Sequence, residues 1–196
     1  MLKRFFNPAV LALTALLIGA TLVSGAAAAE YDAVYTITDG SKQVMTQTLY
    51  FKGGNKIRME MQTKDGAVKT ITRLDKRVTW MLLDDQKMYM EQQFDPETWN
   101  QYNCDQTKVK KIGAEKVLNF NCSIYEYIDG DYTYHYWQAE NTMVIVKTVM
   151  WEKGKEKFRM EAKEIHLRKQ ADALFEVPAG YQKFSMKLPG NIKLPK

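Results

Sequence analysis

From Tyr31 to Leu167 apolar and polar residues alternate in short runs, and clusters of Gly, Asp, Asn and Lys separate the runs. A two-residue period with regular turn signals predicts half-buried antiparallel strands. The clearest case is YFKGGNKIRMEM at Tyr50–Met61. There Ile57, Met59 and Met61 share one side of a strand, and Lys56, Arg58 and Glu60 share the other. Gly53, Gly54 and Asn55 tolerate positive φ and mark the hairpin turn that precedes it.

The same reading along the chain predicts strands at Tyr31–Thr38, Val44–Phe51, Lys56–Gln62, Ala67–Leu74, Val78–Leu83 and Met88–Gln92. It continues with a basic strand at Thr107–Lys111, then Val117–Ile128, Tyr132–Gln138, Met143–Glu152 and Glu156–Leu167. Val78, Trp80 and Leu82 fall on one side of their strand, Met81 and Leu83 on the other, so that strand is expected to be buried on both faces. Two short helical turns are expected. One starts at Asp95-Pro96-Glu97, where Asp can cap and Pro suits the first helical position; Trp99 and Tyr102 would share its face. The other is Asp172–Phe175. Roughly ten strands in sequence predict a mainly β fold, a curved antiparallel sheet or half-barrel with one or two short helices.

The first 29 residues stand apart. Lys3 and Arg4 precede an uncharged apolar run from Ala9 to Val23, and Ala27-Ala28-Ala29 matches a signal-peptidase site. A cleaved signal peptide is therefore expected, with an exported, periplasmic chain starting at Glu30. Residues 30–184 are then a single β domain, and residues 185–196 a basic tail that could touch an anionic membrane surface. Loss of Lys3 and Arg4 takes the net charge from +5 to +3. That balance gives no concentrated basic stripe and argues against nucleic-acid binding.

Two cysteines, Cys104 and Cys122, are present. In an exported chain they are expected to form a disulfide, worth roughly 3 kcal/mol by loop closure. Neither C-x-x-C spacing nor nearby His ligands favour a metal or redox site. His135 and His166 lie far apart, and His135 between two tyrosines reads as an exposed or hydrogen-bonded strand residue rather than a general base. Asp84-Asp85 and Asp129-x-Asp131 sit where turns need them. No G-x-S-x-G, H-E-x-x-H or Gly-rich phosphate loop is present, so no catalytic residue and no cofactor is assigned.

What remains is a soft apolar lining. Ile57, Met59, Met61, Val78, Trp80, Leu82, Met88 and Met90 are the candidate ligand-binding residues, because thioethers adapt to a flexible apolar partner. Each could instead be ordinary core. The Met59-x-Met61 and Met88-x-Met90 pairs are also soft enough for Cu(I), although strand packing explains them without a metal.

Five phrases in order resemble the bacterial exported family called domain of unknown function 4412: YFKGGNKIRMEM, ITRLDKRVTWMLLDDQKMYME (Ile71–Glu91), GAEKVLNFNCSIYEY (Gly113–Tyr127), YWQA (Tyr136–Ala139) and LFEVPAGYQK (Leu174–Lys183). One departure is Leu118-Asn119-Phe120-Asn121, where that pattern has small residues, which bears on the local turn. The family is in turn remotely similar to the Lol-type lipoprotein carriers and receptors. That similarity implies an incomplete barrel whose concavity takes up acyl chains. The expected function is non-catalytic binding of a lipid or lipoprotein acyl chain, by a monomer. The alternative is an envelope interaction module whose concavity is filled by its own side chains.

Overall fold

Twelve strands form one open, curved sheet in the computed structural model, which describes residues 29–40, 44–63, 66–93, 106–142 and 144–184. They are β1 (Tyr31–Asp39), β2 (Val44–Lys52), β3 (Lys56–Thr63), β4 (Gly66–Arg73), β5 (Val78–Leu83), β6 (Met88–Gln93), β7 (Lys110–Val117), β8 (Phe120–Asp129), β9 (Tyr132–Ala139), β10 (Ile145–Glu152), β11 (Lys155–Leu167) and β12 (Gln182–Lys183). The order across the sheet is β12-β6-β5-β4-β3-β2-β1-β11-β10-β9-β8-β7. Two meanders, β1 to β6 and β7 to β11, are joined through the β1–β11 pair. Consecutive β6 and β7 therefore lie toward opposite edges.

The two halves differ in regularity. From β1 to β6 the ladders run without register shifts. In the other half, shifts fall at Lys111/Gly113, Ile145/Lys147 and Met150/Trp151, and one at Val34/Tyr35 marks the seam with β11. Each extra residue bends its strand and increases the local twist, which curves the sheet.

Most predicted strands fall within a residue or two of their observed bounds. Two do not. The expected strand at Thr107–Lys111 is a 3-10 turn at Gln106–Lys108 followed by β7, which runs on through Gly113 to Val117. The expected single strand Val117–Ile128 is broken by the two-residue loop Leu118-Asn119, with Val117 paired to Phe120. Leu118 sits at φ 53, a conformation for which a leucine gives no sequence signal. The helical turn expected at Asp172–Phe175 is present as a 3-10 turn.

Residues 1–28 of the expected signal peptide, the helix start at Asp95 with Trp99 and Tyr102, and the tail 185–196 lie outside the described residues. So does Cys104. Cys122 is a buried free thiol in β8, and burial pushes its pKa up. No helix among the described residues is long and apolar enough to cross a membrane.

Candidate functional site

Cross-strand partners point to the same side of a sheet, so the register sorts the side chains by face. One row crosses β1 to β6 as Ala33, Leu49, Met59, Thr70, Met81 and Met90. Beside it run Tyr35, Gln47, Met61 and Val68, with the Leu83–Met88 pair continuing on β5 and β6. A third row is Tyr31, Phe51, Ile57, Thr72, Thr79 and Gln92. Across the seam the face continues through Ile165, Ala162, Met160 and Phe158 of β11. These three rows carry no charged side chain.

We call this uncharged side, which carries the closed core, the inner face. Ala33, Tyr35 and Ile37 are wholly buried. The β11 partner of Tyr35 is Ala162, small enough to leave room for the ring. The Tyr35 hydroxyl donates to the Ile145 carbonyl of β10, two strands away, at 2.9 Å. Burial raises the Tyr35 phenol well above its ordinary range, so it stays a donor. The Tyr31 and Phe51 rings lie 5.3 Å apart beside it.

Burial falls off along these rows. Leu49, Phe51, Ile57, Met61 and Thr72 are buried, whereas Met59, Val68, Met81, Leu83, Met88 and Met90 are only half-buried. The inner face thus grades from a closed core at β1, β2 and β11, which extends to Ile57, Met61 and Thr72 on β3 and β4, to a partly open surface at Met59, Val68 and the inner side of β5 and β6. Four of the six half-buried residues are thioethers.

The outer face of β2 to β6 is charged and covered. Residues 168–184 cross it as a strap. Phe175, 0% exposed, packs with Ile71, Val78, Trp80 and Leu82, and Leu174, Val177 and Tyr181 extend that cluster. Polar contacts hold the strap along its length. Asp32 accepts from Arg168 Nε (2.5 Å), His166 Nδ1 (3.0 Å) and Gln170 Nε2 (3.1 Å). Lys56 reaches Asp172 at 2.7 Å, Arg58 donates to the Leu174 carbonyl at 3.1 Å, and Arg73 pairs with Glu176. Tyr181 donates to Asp84 at 2.7 Å, and Asp84 also pairs with Lys69. Beyond it β12 lies parallel to β6, with the Gln182 amide on the Lys87 carbonyl at 2.9 Å.

The eight predicted lining residues therefore do not share one surface. Ile57, Met59, Met61, Met88 and Met90 lie on the inner face, Ile57 and Met61 within its closed part. Val78, Trp80 and Leu82 lie on the outer face beneath the strap. The grouping is corrected by the register: Trp80 faces Ile71 and Glu91, while Met81 faces Thr70 and Met90. The inner side of β5 is Thr79, Met81 and Leu83. Apolar residues on both sides of β5 hid the choice, and only the partner strands and the strap resolve it. Gln47 was also missed, although its place between Met45 and Leu49 in an alternating run puts it on the apolar side.

Histidines and acidic turns have structural partners. His135 shares a hydrogen bond with Glu126 at 3.0 Å and packs edge-on against Trp151. Asp129-Gly130-Asp131 forms the β8–β9 turn, with Gly130 at φ 58. Among the described residues, no three of His, Cys, Asp and Glu cluster as metal ligands.

Residues 34–145, running from β1 to the start of β10, match the family described as "Domain of unknown function (DUF4412)". The chain belongs to this family. No curated protein matches its sequence. Among solved structures it is similar to an uncharacterized conserved protein from Thermus thermophilus, at 10% identity and a TM-score of 0.60, covering 91% of this chain and 99% of that one. It is also similar to PNGF-II, at 13% identity and a TM-score of 0.52, over 81% of this chain but 31% of that one. Both likenesses show the fold alone. A LolA superfamily protein from Nitrosomonas europaea matches at 9% identity and a TM-score of 0.41, over 84% of this chain and 97% of that one. The likeness to Lol-type proteins is thus remote.

Proposed function

We propose that this protein is an exported, non-catalytic binding protein that holds the acyl chain of a lipid or lipoprotein against the inner face of its sheet. The observation that carries the reading is the half-buried group Met59, Met81, Met88 and Met90, in register on one uncharged face and continuous with a closed apolar core. An aliphatic chain laid there meets flexible thioethers that can repack around it. Burying about ten methylenes is worth on the order of 8 kcal/mol gross, at roughly 0.8 per CH₂, before ordering and association costs.

Export rests on the sequence of residues 1–29. It is supported by the anchoring of Glu30, the expected first residue of the mature chain. The Glu30 carbonyl accepts from the Arg168 amide at 3.1 Å, and its carboxylate accepts from the Gln170 amide at 2.7 Å. A monomer with residues 30–184 as one β domain and a basic, membrane-touching tail at 185–196 completes the reading.

The test is titration of the mature protein with a pyrene-labelled fatty acid. Saturable binding near one probe per chain supports the reading; absence of binding up to the probe's solubility limit overturns it. The second reading, an interaction module with a self-filled core, is favoured by the extent of the closed region, which links Tyr35, Leu49 and Ile57 to Tyr136 and Met160.

A further inference from the structure

The inner-face rows carry the polar side chains Gln47, Thr70, Thr72, Thr79 and Gln92, and of these Gln47 has a buried polar atom without a partner among the described residues. Gln47 of β2 is 2% exposed and lies between its register partners Tyr35 and Met61. Its Nε2 is fully buried and finds no hydrogen-bond acceptor among the described residues. Tyr35, which donates its hydroxyl proton to the Ile145 carbonyl, keeps lone pairs that could accept, yet its oxygen makes no hydrogen bond with Gln47 Nε2. A buried amide donor left unpaired is costly, and native folds seldom keep one without a use. Met or Leu would suit the same strand position without that cost.

Its place is informative. Gln47 lies next to Met61, still buried, at the end of the closed part of its row; beyond Met61 the row becomes half-buried at Val68, with the half-buried Leu83–Met88 pair on β5 and β6. From β2 to β6 is four strand spacings, about 19 Å, a span comparable to an extended long-chain acyl group.

We propose that Gln47 is the polar anchor of the inner face. Its Nε2–H donates to the carbonyl oxygen of an acyl ester or amide, and the hydrocarbon runs from there toward Met88. The inference rests on the acyl-chain reading above and adds to it the functional group the protein selects. A hydrocarbon without an acceptor would leave the amide unpaired, so discrimination comes from a donor already desolvated in the free protein. Phospholipids and diacylated lipopeptides both carry such an ester, so that chemistry is shared by the two sources.

The test uses two probes of equal chain length on the mature protein, a pyrenyl fatty-acid methyl ester and the corresponding pyrenyl alkane. Wild type is expected to bind the ester roughly fivefold tighter, as one neutral hydrogen bond gives. Gln47→Met is expected to erase that preference while raising the denaturation midpoint of the ligand-free protein. Equal affinity of wild type for both probes overturns the anchor and leaves the acyl-chain reading standing. Binding of neither probe overturns both. The wild-type comparison decides the matter even where the variant misfolds. Competition of the ester probe by a phospholipid and by a diacylated lipopeptide then separates the two sources: displacement by either supports the anchor, and displacement by neither overturns it.

Discussion

Arg73 donates through Nη1 to the carbonyl of Phe175 at 3.3 Å, tying the strap to β4 at the residue whose ring fills the outer cluster. Arg73 is itself 5% exposed and forks onto Asp75 at 2.6 and 2.8 Å. The strap is thus held by a buried ring below and a buried guanidinium beside it.

Phe175→Ala should therefore cost about 3–5 kcal/mol, the range for emptying a fully buried aromatic site. Urea unfolding followed by tryptophan fluorescence checks this, since Trp80 lies in the same cluster. A loss below about 1 kcal/mol would show that the strap contributes little to the fold. Acyl-probe affinity of the folded variant is expected to stay near wild type, because Phe175 is on the face opposite the proposed site.

The strap should also loosen in acid. Burial alone would raise the Asp32 carboxyl, but hydrogen bonds from Arg168, His166 and Gln170 outweigh it and hold its pKa below the usual carboxylate range. Burial opposes in the same way at Asp84, where Lys69 and Tyr181 prevail, and at Glu176, where Lys76 and Arg73 prevail. A carboxylate whose folded pKa is depressed adds stability that is fully present above its unfolded value, near 4. That stability is lost as pH falls through the folded value. The urea midpoint should be flat from pH 7 to about 5 and fall below about 4. Asp32→Asn should lower the midpoint at pH 7 and shrink the acid-dependent drop. A midpoint unchanged between pH 6 and pH 3 would contradict this account.

Much of this architecture is legible in the sequence because antiparallel strands with one buried face alternate strictly. Val78–Leu83 appears with its bounds unchanged, and Lys56–Thr63 within one residue. What the sequence conceals is which side of a doubly apolar strand faces which layer. Val78, Trp80 and Leu82 are the more apolar set and invite assignment to the concavity, yet Phe175, about a hundred residues away, claims them. That contact has no local signal. The Leu118-Asn119 loop is hidden for a different reason: its first residue adopts a conformation that the usual turn formers, Gly and Asn, would announce.

That loop gives a stabilising substitution. Leu118 is 46% exposed at φ 53, so its side chain gains little from burial while its backbone is strained. Leu118→Gly should raise stability by up to about 1 kcal/mol, since two-residue hairpin loops favour glycine at positive φ. Thermal unfolding by circular dichroism checks it; a lowered midpoint would mean that the leucine makes packing contacts worth more than the strain.

The half-buried thioethers should tolerate change better than the core. Met81→Glu or Met90→Glu places a carboxylate in the proposed acyl track, where it must be desolvated when the chain binds. Acyl-probe affinity is expected to fall at least about tenfold, with the far-ultraviolet spectrum unchanged. Unchanged affinity in both variants would remove β5 and β6 from the site.

The most direct measurement is native mass spectrometry of the mature protein, Glu30 to Lys196, purified from its own cell envelope without denaturant. The account expects a near-stoichiometric adduct whose released mass is that of a phospholipid or an acylated peptide. A bare protein that also fails to take up added fatty acid would contradict it and leave the self-filled interaction module as the reading of the inner face.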